Sequence, residues 1–148
     1  MGSLQRRNRL SDLDKFGRLA IRKIKDGQLQ WLELAMENRE SDSDPALMYP
    51  LYRRLKALDE DTKNIVRAAV TSAAIAGIHD FLFALESDHN DGDDEIEILV
   101  NGQNIVDLSE DGLHYEVFFW DEDFSDYPDS RKAKELKTGK KDPDAGQA

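Results

Sequence analysis

Three histidines and a large excess of carboxylates are the residues from which this 148-residue chain would have to build acid–base or metal chemistry. His79 is followed directly by Asp80, His89 lies in the acidic run Asp88–Asp94, and His114 precedes Tyr115. An imidazole beside a carboxylate is a pair that general acid–base catalysis uses. Asp80 with His79 or His114 is therefore the combination on which a small metal-dependent or acid–base hydrolase would rest. At 100° per residue, Asp80 shares a side with Ile65, Val66, Ala69 and Ala73, so helical spacing predicts that it is buried, with His79 next to it. A carboxylate in that setting must be neutral, hydrogen-bonded or paired, and Arg18, Arg22, Arg53 and Arg54 are the cations on offer. A structural pair is the commoner fate of such an acid, and it is the reading preferred over catalysis.

Other chemistries are excluded more firmly. The chain has no cysteine, which removes disulfides, thiol catalysis and every cysteine-based metal site. No two histidines stand at the spacing that puts both on one helical face as metal ligands. The loop 88–95 has a calcium-like composition but fails the EF-hand pattern. With Gly92 at the sixth position, Ser87 falls first, His89 third and Ile98 twelfth. Weak, adventitious divalent binding is the most that loop predicts. There is no glycine-rich phosphate loop and no nucleophile elbow. The His-Asp spelling resembles metal-dependent phosphohydrolases of the HD type, but those need a histidine upstream, and none precedes His79. The sequence thus predicts no catalytic residue, no metal and no cofactor.

The elements that position these residues predict an α+β fold: a helical N-terminal half, three to four helices around a long buried helix over residues 60–86, and a small antiparallel β-meander. Residues 1–10 read as a flexible basic leader, 11–127 as a single domain, and 128–148 as a disordered tail. Ser11 or Asp12 caps a first helix with Leu13, Phe16, Ala20, Ile21 and Ile24 as apolar positions. Gly27 interrupts the pattern before a second stretch carrying Leu29, Leu32, Ala35 and Met36, which fits either the end of one helix or a weak point in a longer one. Asp44-Pro45 starts a third helix with Leu47, Leu51, Leu55 and Leu58, and Pro50 must fall in its first turn or start it afresh. Asp59 caps the long helix, Glu60 and Asp61 complement its dipole, and Gly77 is its expected bend. From Ala73 onward this helix is apolar almost all round, which predicts burial. It approaches the length of a membrane span, but Arg67, His79 and Asp80 mark it as the core helix of a soluble protein. Further on, Glu95–Val100, the Asn101-Gly102 turn and Gln103–Leu108 predict a hairpin in which Ile98 faces Ile105. Leu113–Trp120 is a third strand, with Tyr115, Val117 and Phe119 on one face. No secretory or lipidation signal is visible, so the expected home is the cytoplasm.

Charge narrows the partner. The formal net charge is −11. Residues 68–130 hold 17 carboxylates and not one Lys or Arg, whereas each flanking stretch is net positive by 3. Self-repulsion on this scale opposes a compact fold unless a basic partner or the basic helices of the same chain relieve it. Direct nucleic-acid binding is disfavoured, because phosphate affinity needs cations that this half lacks. Only Arg6, Arg7 and Arg9 or the lysines of the tail supply weak contact.

Aromatic residues interleave with the acids from Tyr115 to Tyr127. Aromatic anchors within a charged rim are the makings of a binding hot spot. The predicted partner-binding residues are Glu95, Glu97, Tyr115, Phe118, Trp120, Asp121, Glu122, Asp123 and Phe124. Small size, acidity, absence of cysteine and absence of a catalytic motif resemble, in composition alone, bacterial immunity and antitoxin proteins, which neutralise basic toxins by binding them. The expected function is a non-enzymatic interaction module for a basic partner protein, without nucleic acid or membrane, as a monomer or homodimer. The alternatives are the hydrolase of Asp80 with His79 or His114, and a self-associating structural protein whose basic helices meet the acidic sheet of another copy.

Overall fold

The computed structural model describes residues 10–37, 48–92 and 96–127. Glu95, Leu47, the Asp44-Pro45 cap, nearly all of the leader and the whole tail lie outside the described residues. The elements are α1 (Asp12–Ala20), a π-helical turn (Ile21–Lys25), α2 (Asp26–Met36), α3 (Tyr49–Lys56), α4 (Glu60–Asp91), β1 (Leu99–Val100), β2 (Gln103–Asn104), α5 (Ile105–Leu108), a 3-10 turn (Leu113–Tyr115) and α6 (Glu116–Phe124). The protein is mostly helical with a small antiparallel sheet, a coarse α+β class.

Local chemistry explains several boundaries. Ser11 caps α1 by accepting the Asp14 N–H at 3.0 Å. Asp59 caps α4 by accepting the Thr62 N–H at 2.8 Å and the Thr62 hydroxyl at 2.7 Å. Those bonds hold the Asp59 carboxyl below its ordinary pKa. Pro50 sits in the first turn of α3, where its missing N–H costs nothing. Gly92 ends α4 in the left-handed conformation. Asn101 and Gly102 both have positive φ, as the two-residue turn requires, and Ile105 donates its N–H to the Ile98 carbonyl at 3.0 Å.

Gly27 does not break the first helix. The rod runs from Asp12 to Met36, and the irregularity comes earlier, in the π turn. One extra residue in that turn shifts the inward row from Ile24 to Lys25. Ile24 is exposed and Lys25 wholly buried, the reverse of the expected pattern. In α3 it is Tyr52 that is buried, edge-on to Trp31 with ring centroids 6.1 Å apart, while Leu51 is exposed.

The core is Leu13, Ile21, Ile78, Leu82, Leu85, Ile105, Leu113, Val117 and Trp120. It forms where α1 and the π turn, α4, α5 and α6 meet. Trp120 packs edge-on to Phe16 and against the bare backbone of Gly17, where a Cβ would fall inside the indole.

Two expectations are corrected. The meander stops at two strands, because residues 113–124 are helical. Leu113, Val117, Trp120 and Phe124 recur at intervals of four, three and four, a helical period that alternation of aromatics concealed. The long helix is not the buried centre. α4 runs unbroken through Gly77 and buries only one row, Thr71, Ile78, Leu82 and Leu85. Of its most apolar 18 residues only 22% are buried, although length and composition alone would let it cross a membrane. The other described elements pack on one side of α4, and among the described residues its apolar outer face is uncovered.

Candidate functional site

Where α4 passes the loop that leads into α6, aromatic and imidazole rings meet. His79 and His114 stand edge to face with ring centroids 5.2 Å apart, and Phe83 stands edge to face with His114 at the same distance. Phe118 lies 5.9 Å from His79, and Tyr115 lies 4.0 Å from His114. Five rings thus form one continuous cluster. Three of them keep about half of their surface open: Phe83 (52%), Tyr115 (54%) and Phe118 (50%).

Each imidazole carries a carboxylate. His79 donates its Nδ1–H to Asp80 at 3.0 Å, and His114 donates its Nδ1–H to Glu86 at 2.6 Å. The spacing along α4 produces this set, because residues 79, 83 and 86 share one helical flank. The other side is held by Gly112, at φ +102°, a conformation that L side chains rarely adopt. A Cβ there would crowd the Tyr115 ring at 3.3 Å and touch His114 and the Glu86 carboxylate at ordinary contact distance. The glycine lets the loop fold tightly enough to deliver His114 to Glu86.

Asp80 is the clearest departure from the sequence reading. Its side chain is 80% exposed and pairs with its own neighbour, not with an arginine of another helix. The helix-wheel assignment of its face was right, since it shares a side with Ile65, Ala69 and Ala73. That face turns out to be the solvent side. His79 is half-buried.

The predicted partner-binding residues divide. Tyr115, Phe118, Glu122, Asp123 and Glu97 are exposed, and Phe124 is half-buried. Trp120 and Asp121 are buried and cannot form a surface anchor in this fold. Asp121 instead accepts a short hydrogen bond from Lys25, whose ammonium also reaches the Ser125 hydroxyl at 2.8 Å and the Tyr127 carbonyl at 3.1 Å. Asp26 completes the group, accepting the Ser125 hydroxyl at 2.7 Å and the Asp126 N–H at 2.8 Å. A buried ammonium needs such compensation. The network latches the end of α6 to the π turn. Lys25 escaped the sequence reading because the register shift that buries it has no signature in the residue pattern.

His89 is drawn to Asp107 at 3.0 Å, and residues 88–91 form the last turn of α4 instead of a loop. Among the described residues, no three His, Asp or Glu side chains converge on a point that could hold a metal. No family model, curated protein or solved structure matches this chain.

Proposed function

We propose that this protein is a non-enzymatic interaction module that docks a basic partner protein on the surface built from Asp80, Phe83, Glu86, His114, Tyr115, Phe118 and the Glu122–Asp123 end of α6. The observation that carries the reading is the half-open ring cluster, set within a stretch of 17 carboxylates that has no Lys or Arg. An arginine or lysine side chain suits such a place. Its stem covers aromatic surface, its charge meets ring faces, and carboxylates at the rim complete it. Aromatic anchors supply the affinity, and the surrounding field steers a cationic partner in.

Compared with the sequence reading, the surface moves. It loses Glu97, Trp120, Asp121 and Phe124, Glu95 lies outside the described residues, and it gains Asp80, Phe83, Glu86 and His114. The test is titration of an arginine-rich peptide followed by backbone amide shifts. Shifts centred on residues 79–86 and 112–123, weakening with added salt, support the reading. Shifts spread evenly over every acidic segment overturn it.

One observation favours a second reading. The cluster holds two imidazole–carboxylate pairs side by side, the groups that an acid–base hydrolase of Asp80, His79 and His114 would use. Under that reading, Asp80→Asn abolishes an activity without unfolding the chain. Under the docking reading it weakens binding modestly and removes no turnover.

A further inference from the structure

A groove of ≈ 580 Å³ runs between α4 and the rod made of α1, the π turn and α2. That volume is ordinary for a small-molecule site. Phe16, Leu19 and Ile24 line it from the rod, and Ala74, Gly77 and Phe81 line it from α4. The space exists because small residues stand on the α4 side. A Cβ on Gly77 would meet nothing within 4 Å, so no close contact requires a glycine there. A glycine inside a helix costs stability relative to alanine, and here its effect is to leave room.

Polarity in the groove is sparse and one-sided. The chain holds 31 Asp and Glu, yet none of the described ones lines it. Its one charged group is Lys23, with the Gln28 amide beside it. The rod runs antiparallel to α4. Glu33 accepts a hydrogen bond from Arg67 at 3.1 Å, whereas Leu13 and Ile21 pack with Ile78, Leu82 and Leu85. Lys23 and Gln28 therefore stand toward Ala73, and Phe16 and Phe81 stand toward the other end. From Phe16 to Gln28 the rod advances about 18 Å, the reach of a long alkyl chain.

We propose that this groove binds one long-chain fatty acid, its carboxylate at Lys23 and Gln28 and its methyl end between Phe16 and Phe81. Burial of the chain supplies the affinity. Lys23 is exposed, so its stem can lie along the alkyl chain while its ammonium meets the carboxylate at the water's edge. The reverse orientation would put the carboxylate among rings that offer no donor. It would also point the charge at the half of α4 that carries Asp80, Glu86 and Asp88 and no Lys or Arg. A cationic head would meet Lys23 with no carboxylate in the groove to offset it. The inference does not rest on the docking surface for a basic partner.

Calorimetric titration of myristate, kept below its micellar range, into the full chain should show saturable binding at one site. Laurate should bind more weakly, by roughly four-fold for each methylene removed. Lys23→Glu should weaken myristate binding about five- to ten-fold and leave binding of myristyl alcohol unchanged. Ala74→Phe and Gly77→Leu each fill the groove and should abolish binding with unchanged helical circular dichroism. Myristate bearing a nitroxide at its methyl end should broaden the amide signals of Phe16 and Phe81 before that of Gln28. Absence of saturable binding overturns the proposal, as does binding that survives both groove-filling variants. So does an equal effect of Lys23→Glu on acid and alcohol, or broadening centred on Gln28. If the chain instead co-sediments with phosphatidylcholine vesicles and takes up no free myristate, the groove belongs to a membrane surface and the proposal fails.

Discussion

The Trp120 indole occupies the space that a side chain on Gly17 would fill. That contact joins α1 to α6 and brings the last helix onto the core. The ring is buried on all sides and cannot swing away. Gly17→Ala should therefore destabilise the fold by about 1–3 kcal/mol, the usual cost of overpacking a filled core. Denaturant unfolding followed by tryptophan fluorescence measures this. An unchanged midpoint would mean that α6 is not held where the structure places it.

Lys25 and Asp121 form the second tie between the same elements. Lys25→Met leaves Asp121 buried without its cation, and such losses cost about 3–5 kcal/mol. The double variant Lys25→Met, Asp121→Leu removes both charges and should recover much of that loss. A double-mutant cycle in denaturant gives the coupling directly. Equal, additive effects of the two single changes would contradict the latch.

Glu116 supplies a pH test. Burial raises its carboxyl above the ordinary glutamate range; the Ser109 hydroxyl offsets this in part, while Asp14 and Asp111 add to it. An acid with a raised folded pKa opposes folding while it is ionised. The cost is therefore present at neutral pH and fades as pH falls through the raised value toward the unfolded one. Glu116→Gln should raise the thermal midpoint at neutral pH, and its advantage should vanish in acid. An advantage of constant size across that range would point to a cause other than ionisation.

Much of this architecture is legible in the residues, and the exceptions have physical causes. The caps at Ser11 and Asp59, the Pro50 position and the Asn101-Gly102 turn are local, and each residue alone dictates its geometry. Non-local outcomes were less accessible. Helical periodicity finds the rows of α4 but does not say which row faces the core, since all are apolar beyond Ala73. Residues 113–124 satisfy both an alternating and a helical pattern, and the packing of Leu113, Val117 and Trp120 on one core decides for the helix. In the site, the individual residues Asp80, His79, His114, Tyr115 and Phe118 stand out in the sequence. Their meeting does not, because it depends on the tight turn at Gly112 and on the path from α4 to α6. Phe83 and Glu86 were passed over as ordinary helix positions.

The most direct test of the docking account removes aromatic surface and leaves charge untouched. Calorimetric titration of one arginine-rich peptide into the wild-type chain and into the Phe118→Ala and Tyr115→Ala variants does this. Hot-spot truncation of this kind costs at least about 1–2 kcal/mol, so each variant should bind roughly ten-fold more weakly at constant salt. Binding equal to wild type in both variants would show that charge alone attracts the peptide, and would contradict the account.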